Sequence, residues 1–70
     1  MSGEYDQKIE SLHLKPKSRQ EMADEYGMRV NTFINKIHQT GIYLPKGLIF
    51  PATQKLIYYE LGLPPNLKTA

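Results

Sequence analysis

The most regular alternation of hydrophobic and polar positions lies in the middle of the chain. Apolar residues recur there at intervals of three and four, as on one face of an amphipathic helix. They are Val30, Phe33, Ile34 and Ile37. The pattern predicts a helix from about Val30 to Gln39, closed by Gly41. The opposite face of this helix is polar and carries no carboxylate.

A shorter helix is predicted just before it. Ser18 and Glu21 have the spacing of a capping box, in which each side chain bonds a free backbone amide at the start of a helix. The helix should begin at Arg19 and end at Gly27, because glycine adopts a positive φ without strain. Its narrow apolar stripe consists of Met22, Ala23 and Tyr26.

A small β-hairpin is predicted to follow the second helix. The β-prone runs 42–44 and 48–50 flank Pro45-Lys46-Gly47, whose residue types suit a three-residue hairpin loop. Lys46 would lie at the tip. Because a lone hairpin is not stable in water, it must pack against the helices or pair with the apolar segment at 12–14.

A third helix is predicted from Pro51, since proline suits the first turn of a helix. Gly62 would end it. The stripe predicted to be buried consists of Thr53, Leu56, Ile57 and Leu61. Tyr58 and Tyr59 would lie beside that stripe, half-buried with a solvated hydroxyl, or would contact a base or another protein surface.

Together these elements predict one mainly α domain with three helices and one hairpin. The domain would occupy residues 9–63, between a flexible N-terminus at 1–8 and an extended C-terminal arm at 64–70. Each helix has one apolar stripe that it cannot bury alone, so a single shared core is expected. The predicted core residues are Met22, Ala23, Tyr26, Val30, Phe33, Ile34, Ile37, Leu56, Ile57 and Leu61.

The composition is that of a small domain without covalent cross-links. The 70 residues are 40% hydrophobic and 23% charged and include no cysteine, which excludes disulfides, thiolate metal sites and a cysteine nucleophile. No apolar run approaches the about 18 residues of a membrane span. The N-terminus is polar and acidic, unlike a secretory signal. A cytoplasmic protein without membrane association is therefore expected.

Charge is distributed unevenly along the chain. Residues 1–26 carry four basic and six acidic side chains, whereas residues 27–70 carry five basic and one acidic side chain. The basic part of the chain would suit a polyanion such as nucleic acid. Charge alone leaves an ordinary solvated surface as the alternative.

The sequence contains no pattern typical of an enzyme. His13 and His38 have no carboxylate at a spacing suited to shared metal binding. There is no glycine-rich phosphate loop, no serine–histidine–acid pattern and no acid pair suited to catalysis. The prediction is therefore a protein without catalytic residues, metal or cofactor.

The segment 19–33, Arg-Gln-Glu-Met-Ala-Asp-Glu-Tyr-Gly-Met-Arg-Val-Asn-Thr-Phe, resembles the bacterial helix-turn-helix signature. Ala23 is small enough for the two helices to cross closely, and Phe33 would anchor the second helix in the core. With the hairpin and the last helix, residues 18–65 resemble the winged-helix domains of MerR-type regulators and excisionases. They also resemble small bacterial helix-turn-helix proteins of mobile elements. Arg29 and Lys36 depart from that pattern, where a capping Ser or Thr and a buried apolar residue are common.

The resemblance implies sequence-specific binding to duplex DNA by a small transcription regulator or an excisionase-like architectural factor. The second helix would enter the major groove, and the hairpin, or wing, would contact the backbone or the minor groove. The residues expected to contact bases are Arg29, Asn31, Thr32, Asn35 and Gln39. The residues expected to contact phosphates are Lys17, Lys36 and Lys46.

One module of this kind buries only about 600–1,000 Å² on DNA, so a homodimer or side-by-side copies are expected. Tyr59, Leu63 and the arm at 64–70 are the predicted contacts between copies. No small-molecule effector is expected, because the DNA-binding module uses the whole chain length.

The alternative is a winged-helix module that binds another protein and never contacts DNA. A free, electropositive outer face on the second helix would favour DNA, whereas a face screened by the acids of the first helix would favour a protein partner.

Overall fold

A computed structural model describes residues 9–67, and three helices form its framework. They are α1 (Arg19–Glu25), α2 (Val30–Thr40) and α3 (Pro51–Leu61). A mainly α fold with three helices is therefore confirmed. Within the described residues, no helix combines the length and the apolar character needed to cross a membrane.

The capping box at the start of α1 is confirmed. The Glu21 amide donates to Ser18 Oγ at 3.1 Å, and the Ser18 amide donates to Glu21 Oε1 at 2.9 Å. The helix ends at Glu25, and Gly27 follows with φ +70°. A side chain at that φ would be strained, so glycine at this position ends the helix and begins the turn.

The turn at 26–29 joins α1 to α2, and the two helices pack against each other. The Met28 amide donates to Ala23 O at 2.9 Å, which folds the turn back onto α1. The Tyr26 ring stacks on Phe33 with centroids 6.0 Å apart. The Tyr26 hydroxyl donates to the carbonyl of Gly62, so the same turn also holds the end of α3.

The predicted hairpin is not observed. Residues 42–50 form an irregular loop, named the 42–50 loop below, and the described residues contain no strand beyond one isolated antiparallel bridge between Lys17 and Ile49. Some of the backbone groups that a hairpin would pair have other partners. The amide and the carbonyl of Ile49 both bond the Lys17 backbone, at 2.7 and 3.0 Å.

The other side of the 42–50 loop is held by a side chain. Arg19 Nε donates to Pro45 O at 2.9 Å, and its Nη2 donates to Leu44 O at 3.0 Å. A guanidinium presents several donors in a fixed plane, so one arginine can bind two successive carbonyls. The Arg19 side chain therefore bonds carbonyls of the loop, where the turn residues predict pairing with a second strand.

A single core forms as expected, but its composition differs from the prediction. The predicted residues that are fully buried are Met22, Ala23, Phe33, Ile37 and Ile57, and those packed against them are Tyr26, Val30, Ile34 and Leu61. Leu56 is exposed, so its assignment to the core is wrong. Tyr58 is buried in its place, and the additional core residues are Ile9, Leu44 and Ile49.

The beginning of the predicted C-terminal arm packs on the domain. Pro64 is buried and Leu67 lies against the core. The Asn66 amide donates to Glu25 O at 3.0 Å, which ties this segment to the end of α1. The predictions for residues 1–8 and for the end of the arm at 68–70 lie outside the described residues.

Candidate nucleic-acid interface

The outer side of α2 presents a continuous set of solvent-exposed polar side chains, named the polar face below. Its members are Asn31, Thr32, Asn35, Lys36 and Gln39. The core stripe of α2 fixes their direction, because residues at intervals of three and four share one side of a helix. Among the described residues, no side-chain hydrogen bond or ion pair engages these five side chains. Within the part of the chain that the structure describes, the donors and acceptors of the polar face are thus open to a partner.

The start of α2 is open as well. Arg29 is the N-cap residue, with extended backbone and no side-chain capping bond. A Ser or Thr at this position would bond one of the first amides of the helix. Arg29 instead extends into solvent beside the polar face, where its guanidinium adds a positive charge.

Each acid of α1 has a hydrogen-bond partner outside the polar face. Glu21 closes the capping box, and Asp24 accepts from Gln20 Nε2 at 2.9 Å. Glu25 is completely buried. The sequence has no acid between Glu25 and Glu60, so α2 and the 42–50 loop carry only basic charges. Lys46 is one of these charges and is exposed in the loop.

The structure contradicts the predicted phosphate contact of Lys17. Its side chain is only 1% exposed, and its ammonium pairs with Glu25 Oε2 at 2.5 Å. The same ammonium donates to the Tyr58 hydroxyl at 3.2 Å, and that hydroxyl donates to Glu25 Oε1 at 3.1 Å. Lys17, Glu25 and Tyr58, named the buried triad below, therefore join the segment before α1 to α1 and α3. A lysine enclosed in this way cannot reach a phosphate.

The hydrogen bond from Tyr58 to Glu25 in the buried triad requires the Tyr58 hydroxyl to be protonated. Burial raises the pKa of Tyr58 far above its usual value, and the adjacent Glu25 carboxylate raises this pKa further. The phenol therefore stays protonated around neutral pH, and it can donate to Glu25 while accepting from Lys17.

A second polar cluster joins Glu10, which precedes α1, to two residues of α3. The Tyr59 hydroxyl donates to Glu10 Oε2 at 2.8 Å, and Lys55 Nζ lies 3.4 Å from Glu10 Oε1. The Tyr59 hydrogen bond lowers the pKa of Glu10, and the charge of Lys55 lowers this pKa further. Lys55 is thus paired with an acid, whereas no acid among residues 9–67 pairs with Lys36 or Lys46.

Sequence reasoning missed the residues that hold the 42–50 loop. Arg19 binds two loop carbonyls. Gln54 is buried, and its Nε2 donates to Lys15 O at 2.6 Å and to Ile49 O at 2.7 Å. Gln54 lies three residues before Ile57 and seven before Leu61, a spacing typical of one buried face of a helix. Glutamine is mostly exposed in proteins, so this spacing does not by itself predict that Gln54 is buried.

The described residues contain no group of three or more His, Asp or Glu side chains placed to hold a metal ion. Both histidines in this part of the chain, His13 and His38, are exposed. Comparison of the chain with protein-family models, curated proteins and solved structures gave no match. The functional assignment therefore comes from the arrangement of this chain's own residues.

Proposed function

We propose that this protein binds duplex DNA in a sequence-specific manner, with α2 in the major groove. The observation that carries the proposal is the polar face of α2, which is exposed, has no side-chain hydrogen bond to any other residue between 9 and 67, and contains no acid. The major groove of B-DNA admits an α-helix and presents base edges to side chains of this type. The core stripe on the other side of α2 would hold the helix rigidly in place.

The side chains of the polar face have distinct roles in this proposal. Thr32 and Asn35 would lie deepest and contact bases, with Asn35 making paired hydrogen bonds to an adenine. Gln39 would contact a base nearer the backbone, and Asn31 and Arg29 would contact bases from the rim. Lys36 would bind a phosphate and so position the helix without reading sequence.

The packed pair α1–α2 and its glycine turn support the resemblance to the bacterial helix-turn-helix. In this proposal the 42–50 loop replaces the hairpin wing, with Lys46 on the DNA backbone. The protein would then act in the bacterial cytoplasm, without catalysis or cofactor, as a small transcription regulator or an excisionase-like factor. Two copies, as a dimer or side by side, would supply the area that one module lacks.

Replacing Asn35 by alanine is expected to remove sequence discrimination. Binding to the preferred site, selected from a random duplex library, should weaken by about 1–3 kcal/mol, and binding to random duplex should change little. The fold should persist, because alanine is favourable at an exposed helix position. Fluorescence anisotropy titrations of both duplexes measure the two effects.

The control is His13→Ala, which removes an exposed polar side chain outside α2 and should leave both titrations unchanged. An equal loss on both duplexes for Asn35→Ala would assign Asn35 to the backbone. An unchanged affinity on both duplexes would favour a protein partner for the polar face.

Replacing Lys36 or Lys46 by alanine is expected to weaken binding to all duplexes alike. Each lost phosphate contact should reduce the slope of log K against log salt by about one. Lys55→Ala is the control, since Lys55 is paired with Glu10 and should not alter the slope. A changed sequence preference with an unchanged slope would contradict the phosphate role.

A further inference from the structure

One side of α3 presents apolar side chains to solvent. Ala52, Leu56 and Tyr59 are all exposed, Leu56 by 54% and Tyr59 by 38%. They follow one another at intervals of four and three residues, which places them in one line along a helix. The buried residues Ile57 and Tyr58 lie on the other side of α3. The exposed line, named the α3 stripe below, therefore takes no part in the core.

The spacing of the α3 stripe is that of the seam in a two-stranded coiled coil. Leu56 would occupy an a position of the heptad, and Ala52 and Tyr59 would occupy the d positions before and after it. Such a seam is buried when a second helix packs on it. The Tyr59 ring can pack in the seam while its hydroxyl keeps the hydrogen bond to Glu10 at the edge.

Opposite charges flank the α3 stripe. At 100° per residue, Lys55 lies about 70° to one side of its centre and Glu60 about 70° to the other side. These are a g position and the e position five residues further on. When two copies of α3 pack in parallel, g of one helix faces e of the other. Lys55 of each copy would therefore face Glu60 of the second copy, giving one ion pair on each edge of the seam.

The same charges select the direction of the pair. In an antiparallel pair, g faces g and e faces e, so each edge would carry like charges, which is unfavourable. The contact of Lys55 with Glu10, at 3.4 Å, does not prevent the parallel arrangement. An ammonium has three donors, so Lys55 can bind a second carboxylate as well.

We propose that two copies of this chain associate through their α3 stripes, with the two helices parallel and Leu56 of each copy packed on Leu56 of the other. A two-fold axis along the seam makes the contact self-complementary and closed, so association ends at the dimer. Two helices of 11 residues bury less than about 1,200 Å², so micromolar or weaker association is expected. The dimer forms without DNA, and it names the surface on which the two copies of the proposed function meet.

Sedimentation equilibrium of the protein without DNA, at about 10–500 µM, covers the expected range of affinity. The parent should change from monomer to dimer over this range. Leu56→Ser should weaken the dimer at least about tenfold, because a leucine is lost from the seam on both sides. Leu48→Ser is the matched control, since it removes an equally exposed leucine, 51% against 54%, from the 42–50 loop. It should associate as the parent does.

Two charge variants test the parallel direction. Glu60→Lys places a lysine opposite Lys55 on both edges of the seam, so the dimer should weaken about tenfold. The double variant Lys55→Glu/Glu60→Lys exchanges the two charges and should regain the affinity of the parent. An antiparallel pair would have like charges on each edge in the parent and in both variants, so its affinity would change little.

The failures of the two proposals are distinguishable. A parent that stays monomeric at every concentration, or a dimer that Leu56→Ser leaves intact, would overturn association through α3. A dimer that Glu60→Lys does not weaken would overturn the parallel arrangement. A parent that dimerises but does not bind duplex DNA would overturn the proposed function and leave the dimer standing. Thermal melting of each variant confirms that a surface change has left the fold intact.

Discussion

Replacing Phe33 by alanine is expected to destabilise the protein by about 3–5 kcal/mol. Phe33 is fully buried, stacks on Tyr26 and anchors α2 to the core. At about 0.05–0.15 kcal/mol per residue, a chain of this length has a total stability of about 4–10 kcal/mol. The substitution should therefore remove at least about a third of that stability, and at the lower end of the range it should unfold the protein.

Urea denaturation followed by circular dichroism measures this loss. Phe50→Ala is the matched control, because Phe50 is 59% exposed and its removal leaves no cavity. That variant should change the free energy of unfolding by about 0.5 kcal/mol or less. A Phe33→Ala variant as stable as the parent would contradict the assignment of α2 and its buried stripe.

Replacing Lys17 by methionine is expected to have an effect of similar size. The variant leaves the Glu25 carboxylate buried without its cation, and breaking a buried pair in this way costs about 3–5 kcal/mol. Glu25→Gln should also destabilise, because it leaves the Lys17 ammonium buried beside a neutral group. Chemical denaturation of each variant gives the two losses.

The double variant Lys17→Met/Glu25→Gln shows whether the two charges depend on each other. It removes both charges and keeps an amide oxygen in reach of the Tyr58 hydroxyl, so it should be more stable than Lys17→Met alone. Strictly additive losses, each below about 1 kcal/mol, would be those of a solvent-exposed pair and would contradict the buried triad.

The sequence pattern predicted the helices well, because a helix and its cap depend on residues that lie close together in the sequence. The capping box at Ser18 lies within four residues, and the α2 stripe repeats within eight. The buried stripe of α3 was predicted one position out of phase. The helix buries Gln54, Ile57 and Tyr58. A polar residue does not count towards an apolar stripe, so the sequence pattern does not show this period. Gln54 is buried because its amide donates to two backbone carbonyls.

The remaining errors concern contacts between residues far apart in sequence. Lys17 was placed on the surface because lysine is seldom buried without a partner, and its partners lie 8 and 41 residues away. The hairpin was expected from its turn residues, but Arg19 and Lys17 bind the backbone groups of the loop 25 or more residues along the chain. The polar face of α2, by contrast, is exposed as predicted, since it follows from the period of a single helix.

The most direct measurement is a titration of a labelled random-sequence duplex with the parent protein at about 50 and about 200 mM salt. Contacts from Lys36 and Lys46 to phosphates would give a slope of log K against log salt of about −2. Binding that weakens with salt by this amount, and that tightens on the preferred site, is the result expected of DNA recognition by α2. No binding at the lower salt concentration, or an affinity independent of salt, would contradict it.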